Sequence, residues 1–295
     1  MSGKVGMLGL GIMGSAISRN LLASGFEVLG YDVLDEKVEA LEEMGGHGAG
    51  SIGEVGRACP MVISVLPTVA ALEYAGLELA AGAAHPELVL IEASTMPLET
   101  KLAVRDTLAK AGAEVLDCPL SGTGAQAVNK DLSVYASGDP KAYERCVPVF
   151  EGFARSNYYI GEYGAGSKMK FVANLLVAIH NISAAEAFVL GMKAGLAPET
   201  ILKVIADGAG TSRMFEVRGP LMVEGRYEPA TMKVDVFQKD MNIITGFAAE
   251  LKCPLPLLSA AAQVYTTALA NGRAKQDTAS VCAVLEEMAG YKRKS

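Results

Sequence analysis

Two short stretches hold residue types that can do chemistry. The first is GAGSKMKFVANLL, residues 164–176, with Lys168, Lys170 and Asn174 set in an otherwise apolar run. On a helix, positions four apart share a face, whereas positions two apart diverge by roughly 200°. Lys170 and Asn174 therefore look into one space and Lys168 looks elsewhere, toward solvent or near a phosphate at the helix start. The Lys170 face continues through residues 177–178 to Asn181. Such a polar stripe is costly to bury unless it is hydrogen-bonded or faces a wet cleft, for which the junction of two domains is the natural place. A lysine brought down from its ordinary pKa of about 10.4 by partial burial can exchange a proton with a substrate oxygen. A lysine snorkelling its head past an aliphatic stem fits the same residues, and the spacing by itself leaves both readings open.

The second stretch is GLGIMG, Gly9 to Gly14, between an apolar strand pattern and a helical one. The chemistry of a pyrophosphate needs all three glycines. Gly9 permits the tight turn, Gly11 lets the backbone approach the phosphates, and Gly14 lets helix and strand pack closely. The helix start adds unpaired N–H groups and a positive dipole end. The next strand pattern ends in Asp32, 18 residues after Gly14, near the spacing of about 20 at which an acid receives the adenine ribose hydroxyls. A carboxylate there accepts from a free 2′-OH and repels a 2′-phosphate. Val33 and Leu34 offer no cation to such a phosphate, so NAD is expected rather than NADP.

These residues need elements to hold them. Short apolar runs at 5–10, 27–32, 61–66, 88–93 and 113–118 alternate with amphipathic segments near 13–24, 35–44, 70–80 and 97–111. That rhythm predicts βαβ units and a mostly parallel sheet, extended by runs at 132–137 and 157–161 around a helix near 140–152. From Ser167 to about Ala194 runs one long apolar helix. Further helices follow near 198–207, 215–224, 235–251, 256–271 and 277–288, with Pro198, Pro220, Pro229 and CPLP (253–256) punctuating them. The expected architecture is an α/β Rossmann-type dinucleotide-binding domain, residues 1–162. An all-α C-terminal domain for substrate and oligomerisation follows, residues 163–295, joined by a long interdomain helix.

Composition narrows the function classes. The 295 residues are 51% hydrophobic with 20% charged, as in a globular protein with ample core. A net charge of −7 gives no footprint for nucleic acid. No run reaches the ~18 uninterrupted apolar residues of a membrane span. Five scattered cysteines without a CxxC pair read as small buried hydrophobes in a reducing, cytoplasmic setting. Three unclustered histidines argue against a metal site and a Ser-His-Asp triad. The sparsely charged long helix wants cover, so a homodimer or homotetramer is expected.

Six motifs in order carry a resemblance: GLGIMG, VLPT (65–68), EASTM (92–96), DCPLSGTGAQA (117–127), GAGSKMKFVAN (164–174) and FQKDMNI (237–243). Over essentially its whole length the chain resembles the β-hydroxyacid dehydrogenases, which include 3-hydroxyisobutyrate, tartronate semialdehyde and threonate enzymes and 6-phosphogluconate dehydrogenase-like relatives. The resemblance implies that Gly9, Leu10, Gly11, Ile12, Met13 and Gly14 hold the dinucleotide. It implies that Leu66 and Pro67 line its adenosine side and that Thr95 lies near the nicotinamide ribose. By the same resemblance Ser121, Gly122 and Thr123 grip a substrate carboxylate, Lys170 is the general acid/base and Asn174 its helper. Lys239 and Asp240 close over cofactor and substrate respectively. Two residues depart from the family pattern. Thr123 stands where a second glycine is usual, and Met232 stands where several relatives have phenylalanine; both bear on substrate choice.

The implied activity is hydride transfer between NAD and a short β-hydroxy acid or its semialdehyde. Alternatives are a threonate-type dehydrogenase of a sugar acid, a non-catalytic NAD(P)-binding paralogue, and an imine reductase. The last two are disfavoured by the retained lysine. Ser94 and Thr95 read as caps for the helix that follows them, and Asp277 as a cap for the last helix.

Overall fold

The computed structural model describes residues 3–82 and 85–293, and the chain divides into two compact units between Lys170 and Phe171. The first unit begins β1 (Lys4–Leu8), α1 (Ile12–Ala23), β2 (Glu27–Tyr31), α2 (Asp35–Glu43), β3 (His47–Gly48), α3 (Ile52–Ala58), β4 (Met61–Ser64) and α4 (Val69–Ala81). It continues β5 (Val89–Glu92), α5 (Leu98–Lys110), β6 (Glu114–Asp117), β7 (Leu120–Ser121), α6 (Gly124–Val128), β8 (Ser133–Ser137), α7 (Pro140–Phe153) and β9 (Ser156–Gly161). The strands form one sheet in the order β3-β2-β1-β4-β5-β6-β8-β7, with β9 beside β8. From β3 to β6 all pairs are parallel, and β8 runs antiparallel to β6 and β7.

The strands are near-continuous apolar runs because helices cover both faces. One face packs Ile17, Leu21, Phe150 and Phe153; the other packs Val55, Leu72, Val104 and Leu108. Side-chain caps from Ser51, Thr68 and Asp139 start α3, α4 and α7. Every anticipated strand and helix of this unit forms. The two-residue strands β3 and β7 and the short helices α3 and α6 are additional, too brief to leave a periodic signal.

The helix α8 (Ala165–Lys193) crosses the division. The second unit goes on with α9 (Pro198–Ala206), α10 (Arg213–Glu224), α11 (Val234–Glu250), α12 (Pro256–Ala270), a 3-10 turn (Thr278–Ser280) and α13 (Val281–Met288). Its core holds Phe188 stacked on Phe215 with centroids 5.2 Å apart, and Phe237 against Tyr265. Asp277 does act as a cap, accepting from Ala279 N–H, but of the 3-10 turn, so α13 begins at Val281. The same carboxylate pairs with buried Arg218 and accepts from Thr231 N–H, Thr231 Oγ1 and Met232 N–H. It thereby ties the loop before α11 to the core.

By length and composition α8 is apolar enough to cross a membrane, although polar residues interrupt its apolar runs. One of its polar residues is bonded into the packed core of the second unit. Asn181 is wholly buried and donates to Tyr265 Oη at 2.8 Å and to the Thr278 carbonyl at 2.9 Å. Such pairing is what a core helix needs. Four cysteines are buried as expected, but Cys253 is exposed. Burial pushes the thiols of Cys146 and Cys282 up to about 12.

Candidate active site

In the first unit the site starts at the turn between β1 and α1. Gly9 has φ +88°, and a Cβ there would stand 2.4 Å from the Val65 carbonyl oxygen. A Cβ on Gly14 would stand 1.9 Å from the Gly9 carbonyl oxygen, so helix and turn are closer than any side chain permits. A Cβ on Gly11 would meet nothing within 4 Å, which leaves that side of the turn bare. Gly11 caps α1 without a side-chain hydrogen bond. The N–H groups of Ile12, Met13 and Gly14 lack acceptors within the helix by its geometry, and an anion would satisfy them. Ile12 is exposed, whereas Leu10 is buried in the core and serves the turn through its backbone.

Asp32 at the end of β2 is bound into this turn. Its Oδ2 accepts from Leu10 N–H at 2.7 Å and its Oδ1 from Leu34 N–H at 3.1 Å. That fixes the carboxylate beside the glycines with lone pairs remaining for two hydroxyls. Val33 and Leu34 just beyond are exposed and apolar. The bare turn, the uncapped helix and the fixed acid together fit a dinucleotide with an unmodified adenine ribose.

Leu66 and Pro67 follow β4, and Thr95 follows β5. Ser94 does not cap α5, whose N-cap is Pro97. Its hydroxyl accepts from Leu66 N–H at 2.9 Å and its N–H donates to Glu92 Oε1 at 2.8 Å. It therefore tethers the ends of β4 and β5 to each other.

Ser121 ends β7 and is half-buried, and Gly122 has φ +134°. Thr123 is already engaged. It caps α6 in a reciprocal box: its hydroxyl accepts from Gln126 N–H and its N–H donates to Gln126 Oε1 at 3.1 Å. Gln126 Nε2 donates onward to Asp131. The departure from a second glycine thus has a local structural use.

On α8, Lys168 is exposed as anticipated, while Lys170 and Asn174 are buried at 8% and 5% exposure. In the second unit Asn174 Nδ2 donates to Asp240 Oδ2 at 3.0 Å, and Asp240, also buried, pairs through Oδ1 with Lys239 Nζ at 3.1 Å. The resemblance implies separate roles for Asn174, Lys239 and Asp240; the structure gathers them into one bonded group. Met232 packs against the helical core. Among the described residues no three His, Cys, Asp or Glu side chains gather as metal ligands.

One buried charged group lies outside the residues the sequence singles out. Lys101, Glu92 and Asp117 are all 0% exposed, with Lys101 Nζ 2.5 Å from Glu92 and 2.7 Å from Asp117. The signal was there. Lys101 lies on the same helical stripe as Val104 and Leu108, and the two acids end adjacent central strands, where no charge is expected without a partner.

Comparison with known proteins agrees with this geometry. Residues 4–161 match the family described as the NAD binding domain of 6-phosphogluconate dehydrogenase. Residues 164–285 match the NAD-binding family of NADP-dependent 3-hydroxyisobutyrate dehydrogenase. An L-threonate dehydrogenase of Cupriavidus necator is 34% identical over 284 residues, 95% of either chain. A 3-hydroxyisobutyrate dehydrogenase of Salmonella typhimurium superposes with a TM-score of 0.85 at 29% identity, covering 96% of this chain and 100% of its own. A Mycobacterium tuberculosis 3-hydroxyisobutyrate dehydrogenase described with L-serine gives 0.87 at 27% identity, with coverages of 97% and 99%.

Proposed function

Because the chain belongs to the β-hydroxyacid dehydrogenase family, a family of dehydrogenases acting on hydroxy acids, we propose that it oxidises a short β-hydroxy acid, or reduces the corresponding semialdehyde, with Lys170 as general acid/base. The carrying observation is the pair of buried polar residues one turn apart on α8, Lys170 and Asn174. When bound, the nicotinamide supplies the hydride acceptor or donor. In oxidation, neutral Lys170 takes the hydroxyl proton; in reduction, its ammonium returns one to the carbonyl oxygen. Asn174, steadied by Asp240, orients the substrate oxygen or the lysine. Ser121 and the Gly122 backbone hold the carboxylate and so fix the reactive carbon. Thr123 joins them only if it gives up its bonds to Gln126.

Asp32 and its apolar neighbours support NAD over NADP. The family that residues 164–285 match is described as NADP-dependent, and relative turnover with the two nucleotides distinguishes the readings. Within the substrate class a threonate-type sugar acid is the second reading, favoured by the Cupriavidus relative. The protein also acts, on this reading, as a cytoplasmic homodimer or homotetramer.

The test is nicotinamide absorbance with NAD and with NADP over 3-hydroxyisobutyrate, L-threonate, glycerate, L-serine and 3-hydroxypropionate. NAD-preferring turnover of one of these supports the proposal and names the substrate. Tight cofactor binding without turnover of any hydroxy acid or semialdehyde would contradict it.

A further inference from the structure

The buried ions of the first unit are not accounted for by nucleotide binding or by proton transfer as described. Glu92 and Asp117 are directly paired residues of β5 and β6. Two carboxylates facing each other across a sheet repel, and Lys101 of α5 stands between them. Burial favours a neutral amine, but the attraction of Asp117 and Glu92 outweighs it and holds Lys101 charged, above its ordinary value. A buried ion cluster is poor evidence of stabilisation, because an apolar set of the same volume often serves as well. One ammonium between two carboxylates also leaves an excess of negative charge.

Where that charge goes is the informative part. Asp117 Oδ2 accepts from the backbone N–H of Ser167 at 2.7 Å, and its Oδ1 accepts from the Ser167 hydroxyl at 2.7 Å. The neighbouring Gly166 N–H donates to Ser137 Oγ at 2.9 Å, and Ser137 Oγ donates to Asp117. These are first-turn groups of α8, which have no acceptors within the helix. The positive end of a 29-residue helix thus receives the excess charge. The approach is tight, since a Cβ on Gly166 would stand 2.2 Å from the Tyr135 carbonyl oxygen and 2.7 Å from that of Asp117. Lys170 lies three residues past Ser167 on the same helix. On the other side of the ammonium, Glu92 holds Ser94, which holds Leu66.

From this arrangement we propose that Asp117, locked by Lys101 and Glu92, is a positioning residue for Lys170: it pins the first turn of α8 and so sets where the proton-transferring amine stands. The proposal rests on the reading of Lys170 as the general acid/base. Displacement of a catalytic group by about 1 Å costs on the order of 100-fold in rate, while ground-state binding of the nucleotide depends on the turn near Gly9 instead.

The test uses the full-length protein and four forms: wild type, Asp117→Asn, Ser167→Ala and Lys170→Ala. For each, melting temperature, cofactor affinity by nicotinamide fluorescence, kcat and KM are measured. The expectation is that Asp117→Asn lowers kcat by roughly 10- to 100-fold with KM and cofactor affinity within about threefold. Ser167→Ala is expected to do the same to a lesser degree. A folded Asp117→Asn with wild-type kcat overturns the proposal, and so does a loss shared equally by kcat and cofactor affinity. If Asp117→Asn does not fold, Ser167→Ala decides by the same criteria. Undiminished kcat in Lys170→Ala overturns the lysine reading itself, and the positioning claim with it, whatever Asp117→Asn does.

Discussion

The glycine turn with Asp32 in the first unit and the Asn174–Lys239–Asp240 group of the second are built from different materials. The first is backbone: a glycine turn with φ +88° at Gly9, an uncapped helix end, and one carboxylate bound to two N–H groups. The second is side chains: a buried amide on a buried carboxylate, itself paired with a half-exposed ammonium. Backbone sites are specified by where a side chain is forbidden. Side-chain sites are specified by what keeps charges solvated once water is gone. The two therefore differ in how they fail.

The largest expected effect is on the second unit's frame. Burial works to raise the Asp277 carboxyl, but the Arg218 guanidinium and the N–H donors of Ala279 and Thr231 hold it below its usual value. Arg218→Met strands that charge, and stability measured by urea unfolding should fall by about 3–5 kcal/mol. The sign with pH follows from the depressed carboxyl. The stabilisation is complete above the unfolded value of about 3.9 and is lost as pH falls through the lower folded value. Arg218→Met should show less of this acid-side decline, and an equal decline would remove the pair from the account.

Next in size is Gly14→Ala, which places a Cβ against the Gly9 carbonyl. Overpacking of this kind costs about 3 kcal/mol. It should appear as cofactor affinity weakened by on the order of 100-fold with the helical unit intact by hydrogen exchange. Unchanged affinity would mean the turn yields and the backbone description is wrong.

Asp240→Asn sharpens the contrast from the other side. The substitution removes the charge that Asn174 and Lys239 bond to, an interaction worth about 1.5–3 kcal/mol, so kcat/KM should drop roughly 10- to 100-fold with nucleotide affinity nearly unchanged. A drop confined to nucleotide affinity would move Asp240 to the cofactor. The smallest effect belongs to Asp32→Asn. The ratio of NAD to NADP affinity should shift toward NADP by roughly tenfold, about one hydrogen bond's worth; no shift would remove Asp32 from cofactor choice.

This difference in material also explains what the sequence made legible. The turn at GLGIMG and the strand-end place of Asp32 were readable because glycine spacing and a strand-end acid are local patterns, and the parallel sheet was readable from its alternation with helices. The roles of Ser94 and Thr123 were not, since each depends on a partner chosen by tertiary geometry: Leu66 N–H for one, Gln126 for the other. The Asn174–Asp240 bond joins residues 66 apart, and Glu92 meets Asp117 only through strand register. Asn181 followed the same helical stripe as Lys170 but belongs to the core, through Tyr265 and Thr278. Periodicity identifies a face; it does not say what that face meets.

The central claim is that Lys170 moves the proton. The most direct measurement is kcat of Lys170→Ala on the best hydroxy acid, with cofactor affinity measured alongside. The account predicts a fall on the order of 100- to 10,000-fold with cofactor affinity within about threefold. Turnover close to wild type in a folded, cofactor-binding Lys170→Ala would contradict it.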